Sequence, residues 1–184
     1  HYEFMMCISK LFSEQRRETN KIIKKLKEIG LINDFSFAKS YINDHINLTN
    51  EGPLIIKKNL LKHNIKELEI DGLLNQIDNE KIINKIDKLI NKKIKNNNHY
   101  SKYYLKQKLV KELNNLGYDK EMILQRIENL LINDDKILIK EFNKAYKKYS
   151  LKFQGNELKY KLKQVLYQKG FDVDKINELI EAKN

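Results

Sequence analysis

Residues 30–65 read GLINDFSFAKSYINDHINLTNEGPLIIKKNLLKHNI. Leu31, Phe35, Ala38, Tyr41 and Ile42 recur at three- and four-residue intervals, which puts them on one side of a helix. Asn33 and Asp34 stand where side-chain oxygens accept from the free N–H groups at a helix start. Gly52-Pro53 breaks the chain, and Pro53 suits the first position of the next helix. Ile56, Leu60 and Leu61 form the apolar side of that second helix, and Lys57, Lys58 and Lys62 take the other. The stretch therefore predicts two helices joined by a sharp corner, not a strand.

The second helix of this stretch is the first copy of an internal repeat. Ile56-x3-Leu60-x3-Asn64-Ile65 returns as Leu105-x3-Leu109-x3-Leu113-x3-Gly117-Tyr118 and as Leu158-x3-Leu162-x3-Leu166-x3-Gly170-Phe171. Asn64, Gly117 and Gly170 are each 53 residues from the next. Three copies at one period argue for stacked units, none able to close a core alone. In each copy Asn or Gly ends the basic helix and a large apolar residue follows to pack back on it. A first helix is expected at Asp34–Ile46, Asn79–Ile94 and Asp134–Tyr149, and a third at Leu68–Ile77, Glu121–Leu131 and Lys175–Ala182.

Leu31-Ile32-Asn33-Asp34 recurs as Leu131-Ile132-Asn133-Asp134, each time between a third helix and the next first one. By that register, Asn20–Ile29 is a third helix burying Ile22, Ile23, Leu26 and Ile29. Residues 2–13 are a short amphipathic helix with Phe4, Ile8, Leu11 and Phe12 on one side. A polar patch from Glu14 to Thr19 separates the two, and repeat length calls for further residues near Arg17-Glu18. The expected organisation is an incomplete leading unit at 1–33 and three-helix units at 34–78, 79–133 and 134–184. This is an all-α fold of tandem units, helix-turn-helix-like in outline, stacked into an elongated, curved array.

Leu31-Ile32-Asn33-Asp34, Phe37-Ala38, Tyr41-Ile42, Gly52-Pro53 and Asn64-Ile65, in this order and spacing, resemble the RecX family. The resemblance is best over residues 30–66 and extends toward the C-terminus. Asn64 departs from the family's usual Gly, and Asn also tolerates a left-handed helix end. The resemblance implies a small all-helical protein that binds the RecA filament on single-stranded DNA and bridges neighbouring protomers. It would restrain filament growth, ATP hydrolysis, strand exchange and RecA-assisted repressor cleavage, in DNA repair and the SOS response.

Charge and composition set the rest of the reading. The chain carries a net charge of +11, with one Pro, six Gly and no Trp, a balance that favours helix and a polyanion partner. Residues 81–120 hold 11 basic and 3 acidic side chains, a net of +8, whereas residues 40–80 hold 4 and 7, a net of −3. Cys7 has no second cysteine to pair with, which suits a reducing cytoplasm. No apolar run approaches a membrane span, and no signal-peptide pattern stands at the start.

No catalytic constellation and no cofactor loop is present. His1, His45, His63, His99 and Cys7 lack metal-ligand spacing. Asp134, Asp135 and Glu141 suggest a metal-dependent nuclease, but an N-cap at Asp134 and a first-turn carboxylate at Asp135 explain them structurally.

The partner-binding candidates are basic. Lys57, Lys58 and Lys62 lie on the second helix of the first complete unit, and Lys102, Lys106, Lys108 and Lys111 on that of the next. Lys159, Lys161 and Lys163 lie on the third, while Lys92, Lys93 and Lys95 lead into the polar turn Asn96-Asn97-Asn98. Tyr103 is the exposed tyrosine expected to join them; Tyr104 and Tyr118 are expected partly in the core. Such residues contact phosphate without reading sequence, and each is individually also a solvated lysine face. The expected partners are the RecA filament, with single- or double-stranded DNA, for a monomer without a membrane. The alternative is a general basic nucleic-acid-binding helical protein without a RecA partner.

Overall fold

A computed structural model describes residues 2–97, 99–128, 130 and 132–183, and for residues 2–11 the backbone. Among the described residues there are ten α-helices and no strand. They are α1 (Tyr2–Glu28), α2 (Asp34–Leu48), α3 (Pro53–Lys62), α4 (Glu67–Leu74), α5 (Asn79–Lys95), α6 (Lys102–Asn115), α7 (Lys120–Glu128), α8 (Asp134–Tyr149), α9 (Gly155–Tyr167) and α10 (Val173–Glu181). Helices α2–α4 pack on one another, as do α5–α7 and α8–α10. The tandem helical arrangement follows the 53-residue period.

The repeated sequence signals become repeated hydrogen bonds. Asn33 accepts from Ser36 N at 2.9 Å and Asn133 from Lys136 N at 3.0 Å, so the Ile-Asn-Asp echo is an N-cap in both places. Leu131, the first residue of the second copy, is outside the described residues. Asp134 is not the cap that the sequence suggests: Asn133 occupies that position and Asp134 is the first helical residue.

Asn64, Gly117 and Gly170 adopt φ values of 58°, 85° and 82°. After each, the next amide donates back five residues: Ile65 to Leu60, Tyr118 to Leu113 and Phe171 to Leu166. Those three apolar residues are buried, closing each second helix against its own unit.

Core positions follow the helical period. Ala38, Ile42 and Ile46 of α2 meet Ile56 and Leu60 of α3, and Ile70 and Leu73 of α4. Each such large aliphatic side chain contributes about 1.5–3 kcal/mol by leaving water. Leu31, Phe35 and Leu61, expected on these apolar sides, are exposed instead. The inner stripe is narrower than the run of apolar residues suggests.

The N-terminal expectation is corrected. A single helix runs from Tyr2 to Glu28, with Glu14–Thr19 in its middle and Arg17 and Glu18 mid-helix. That patch contains Glu, Gln and Arg but no Gly or Pro, so nothing in it stops a helix. Thr19 bonds its hydroxyl to Gln15 O, as a helical threonine does. Ile22, Ile23 and Ile29 are exposed rather than buried, and Leu26 is half-buried. The side chains of Phe4, Ile8 and Leu11 are outside the description.

Two junctions join the three helix triplets, and they share one geometry. Gly52, the N-cap of α3, donates to Leu116 O at 2.6 Å, and Leu54 N donates to Gly117 O at 3.0 Å. Ser101, the N-cap of α6, likewise donates to Lys169 O at 3.0 Å beside Gly170. A Cβ on Gly117 would stand 2.5 Å from Ile55 N, and one on Gly170 would stand 2.7 Å from Ser101 Oγ. The corner that opens one unit's second helix thus sits on the left-handed turn that closes the next unit's. Glycine is required there for both φ and space.

Candidate partner-binding surface

Two helices, α5 and α6, build the most basic part of the molecule. Ile82, Ile86 and Ile90 turn one side of α5 into the core, and the four-residue spacing leaves Lys81, Lys88, Lys92 and Lys95 exposed. Leu105, Leu109 and Leu113 do the same for α6, leaving Lys108, Lys111 and Tyr103 outside. Tyr103 is 65% exposed.

The basic residues singled out from the sequence divide by what they touch. Lys57 is held by Asp71 at 2.6 Å and Glu67 at 2.8 Å, and these two carboxylates raise its pKa. Lys93 pairs with Glu112 at 2.6 Å, and Lys106 Nζ donates to Glu128 O at 2.7 Å across to α7. Lys102 is half-buried, and its backbone N–H donates to Asp134 at 2.6 Å. Lys161 reaches Gln164 at 2.8 Å and lies near the Tyr149 ring. Lys58, Lys62, Lys92, Lys95, Lys111 and Lys163 are exposed, and Lys159 is half-buried. Lys57, Lys58 and Lys62 lie on α3, and Lys159, Lys161 and Lys163 on α9. They are therefore not part of the α5–α6 group.

Between the C-terminal half of α5 and α6 lies a cleft of about 690 Å³, also lined by Asn50 of the preceding unit. Leu89, Leu105, Leu109 and Leu116 form its floor. Lys92, Lys93 and Lys108 stand at its rim with Asn96 and Asn115. Lys108 Nζ lies 5.4 Å from the centroid of Tyr100, which is stacked on Tyr104 at 4.6 Å. Sequence reasoning found these lysines. It missed Leu89, Asn50 and Asn115, because the repeat assigns them to helices but not to one another.

The three carboxylates of the nuclease reading go to separate partners. Asp134 accepts from Lys102 N, Asp135 pairs with Lys175 at 2.5 Å, and Glu141 is buried under His99 and Lys169. Among the described residues no group of three His, Cys, Asp or Glu side chains stands together as a metal site. None of the described helices is long and apolar enough to cross a membrane.

Comparison with known proteins places this architecture. No family model matches the chain. The regulatory protein RecX of Bacillus cytotoxicus is 32% identical over 169 residues, covering 89% of this chain and 62% of that protein. The regulatory protein RecX of Streptococcus agalactiae is 32% identical over 165 residues, covering 87% and 63%. The chain thus spans less than two thirds of the length of these curated relatives. The crystal structure of RecX from Lactobacillus salivarius superposes with a TM-score of 0.56 at 29% identity, over 60% of this chain and 72% of that one. Over the length it spans, the chain is similar in sequence and in fold to RecX proteins.

Proposed function

We propose that the chain is a non-enzymatic regulator of RecA. It binds the RecA filament on single-stranded DNA and lowers RecA ATPase, strand exchange and co-protease activity. The observation that carries this reading is the similarity to regulatory RecX proteins along nearly nine tenths of the chain. Tandem units at 34–78, 79–133 and 134–184 supply an extended surface rather than a pocket, which suits a partner made of repeating protomers. The exposed lysines of α3, α5, α6 and α9, with Tyr103, face acidic RecA surface or DNA phosphate. The protein acts as a cytoplasmic monomer in DNA repair and the SOS response.

The test is RecA ATPase on single-stranded DNA, titrated with the 184-residue chain at a small fraction of the RecA concentration. Inhibition there supports a filament regulator, since simple coating of DNA needs stoichiometric protein. A second reading, a basic nucleic-acid-binding protein without a RecA partner, is favoured by the net +8 of residues 81–120. Inhibition only when the DNA is saturated with this protein selects that reading.

A further inference from the structure

We infer that the cleft between α5 and α6 is a docking site for an acidic polypeptide segment carrying large apolar side chains. The inference rests on the reading of the chain as a protein-binding regulator and names the chemistry of what it binds.

Three features of the cleft support it. The floor is aliphatic: Leu89 and Leu116 are half-buried beside the core residues Leu105 and Leu109, and the volume above them holds one or two large side chains. Lys92 makes no ion pair among the described residues, and Lys108 touches only the Tyr100 ring. Two ammonium groups at the rim of an apolar floor match carboxylates flanking an apolar anchor. Asn50, Asn96 and Asn115 carry side-chain amides with no hydrogen-bond partner among the described residues. Each amide offers both donors and an acceptor, the set that an extended peptide backbone needs.

The same features argue against a nucleic-acid strand in this cleft. Binding of single strands relies on free aromatic faces for stacking. Tyr100 is the one aromatic ring lining the cleft among the described residues. It is already stacked on Tyr104 and approached by Lys108. The C-terminal ends of α5 and α6 both reach the cleft, at Asn96 and Leu116. Their partial negative charge opposes any anion placed on them, whereas a peptide can set its N–H groups there and keep its carboxylates at the lysine rim, which a phosphodiester charged at every nucleotide cannot. The lysines therefore select acidic side chains, and the helix ends select a peptide over a polyphosphate.

The experiment is fluorescence anisotropy with a labelled peptide in which Leu and Phe alternate with short runs of Asp and Glu. It is measured without RecA or DNA, so failure here is separable from failure of the ATPase test. Binding is expected to weaken roughly tenfold or more in Lys92→Glu/Lys108→Glu, with no change in Lys140→Glu/Lys144→Glu, two exposed lysines of α8. Both pairs lie outside the core, and circular dichroism checks their folding. Amide shifts at Leu89, Asn96 and Leu116 on adding the peptide map its place directly. No binding overturns the inference. So does equal binding of a peptide with Ser in place of Leu and Phe, which would reveal bulk charge attraction alone. Tighter binding of oligothymidylate, lost in the same lysine variant, would assign the cleft to nucleic acid and overturn it too.

Discussion

The junction between α2–α4 and α5–α7 and the junction between α5–α7 and α8–α10 are built on the same backbone contact but held by different forces. At the first, one apolar core runs through both units, from Ala38 to Ile127. Tyr118 is fully buried there, its hydroxyl donates to Asn50 O at 3.2 Å, and burial pushes its pKa up to about 12. Lys85 of α5 reaches back to Ile46 O at 2.6 Å at the end of α2, and burial pulls its ammonium below its ordinary value. At the second, the apolar core stops. Leu138, Phe142, Leu162, Leu166, Phe171, Ile176 and Ile180 form a separate cluster.

Polar contacts bridge that second gap. Ser101 N donates to Lys169 O, Lys102 N donates to Asp134, and His99 donates at 2.8 Å to the buried Glu141, which Lys169 of the same unit holds in place. A shared apolar core couples two units whatever the pH. An ionic hinge couples them only while its charges are in place. The first two units should therefore unfold together, with the third more independent of them.

Gly117→Ala should have the largest effect. It forces a left-handed alanine and drives its Cβ into the backbone of Ile55, costing roughly 3–5 kcal/mol in a urea titration followed by circular dichroism. A loss under about 1 kcal/mol would mean that the tight first junction does not form.

Glu141→Ala comes next, at roughly 1–3 kcal/mol. The carboxylate is fully buried, but Lys169 and His99 remain partly in water, so their stranded charge is partly relieved. Amide exchange should quicken in α8–α10 and stay unchanged in α2–α4. Equal quickening in both would show one cooperative body and break the contrast.

Acid should act through the same residue. Burial raises the Glu141 carboxyl, and the bonds from Lys169 and His99 outweigh it, leaving the group below its ordinary value in the folded protein. Its stabilisation is thus present above the unfolded carboxylate value, about 4.3, and is lost as pH falls through the lower folded value. Loosening of α8–α10 below about pH 4.3, absent in Glu141→Gln, is the expected result in exchange measured against pH.

Asn64→Gly should do least. Asn64 holds the same left-handed turn as Gly117 and Gly170, but it is exposed and no corner is seated on it among the described residues. Relieving its φ alone should stabilise by about 0.5 kcal/mol. A larger shift would indicate a contact at Asn64 like those at the two glycines.

Much of this molecule was legible in the residues themselves. The helix type, the 53-residue period, the left-handed ends and the closing apolar residues all follow from local rules of spacing, capping and φ. These rules need no distant partner. The polar run Glu14–Thr19 misled because a patch without apolar residues resembles a break, whereas helix continuity depends on propensity and breakers.

Which lysines are free was not legible. Lys57 and Lys93 look like Lys58 and Lys92 in the sequence, and only the fold brings Asp71 and Glu112 to the first pair. Nor could spacing reveal that Gly117 serves a neighbour as well as its own helix, or that one junction is apolar and the other ionic. Periodicity fixes what each helix presents along its own axis. The groups opposite it, from 14 to 68 residues away in the chain, are chosen by packing, and only the tertiary structure decides them.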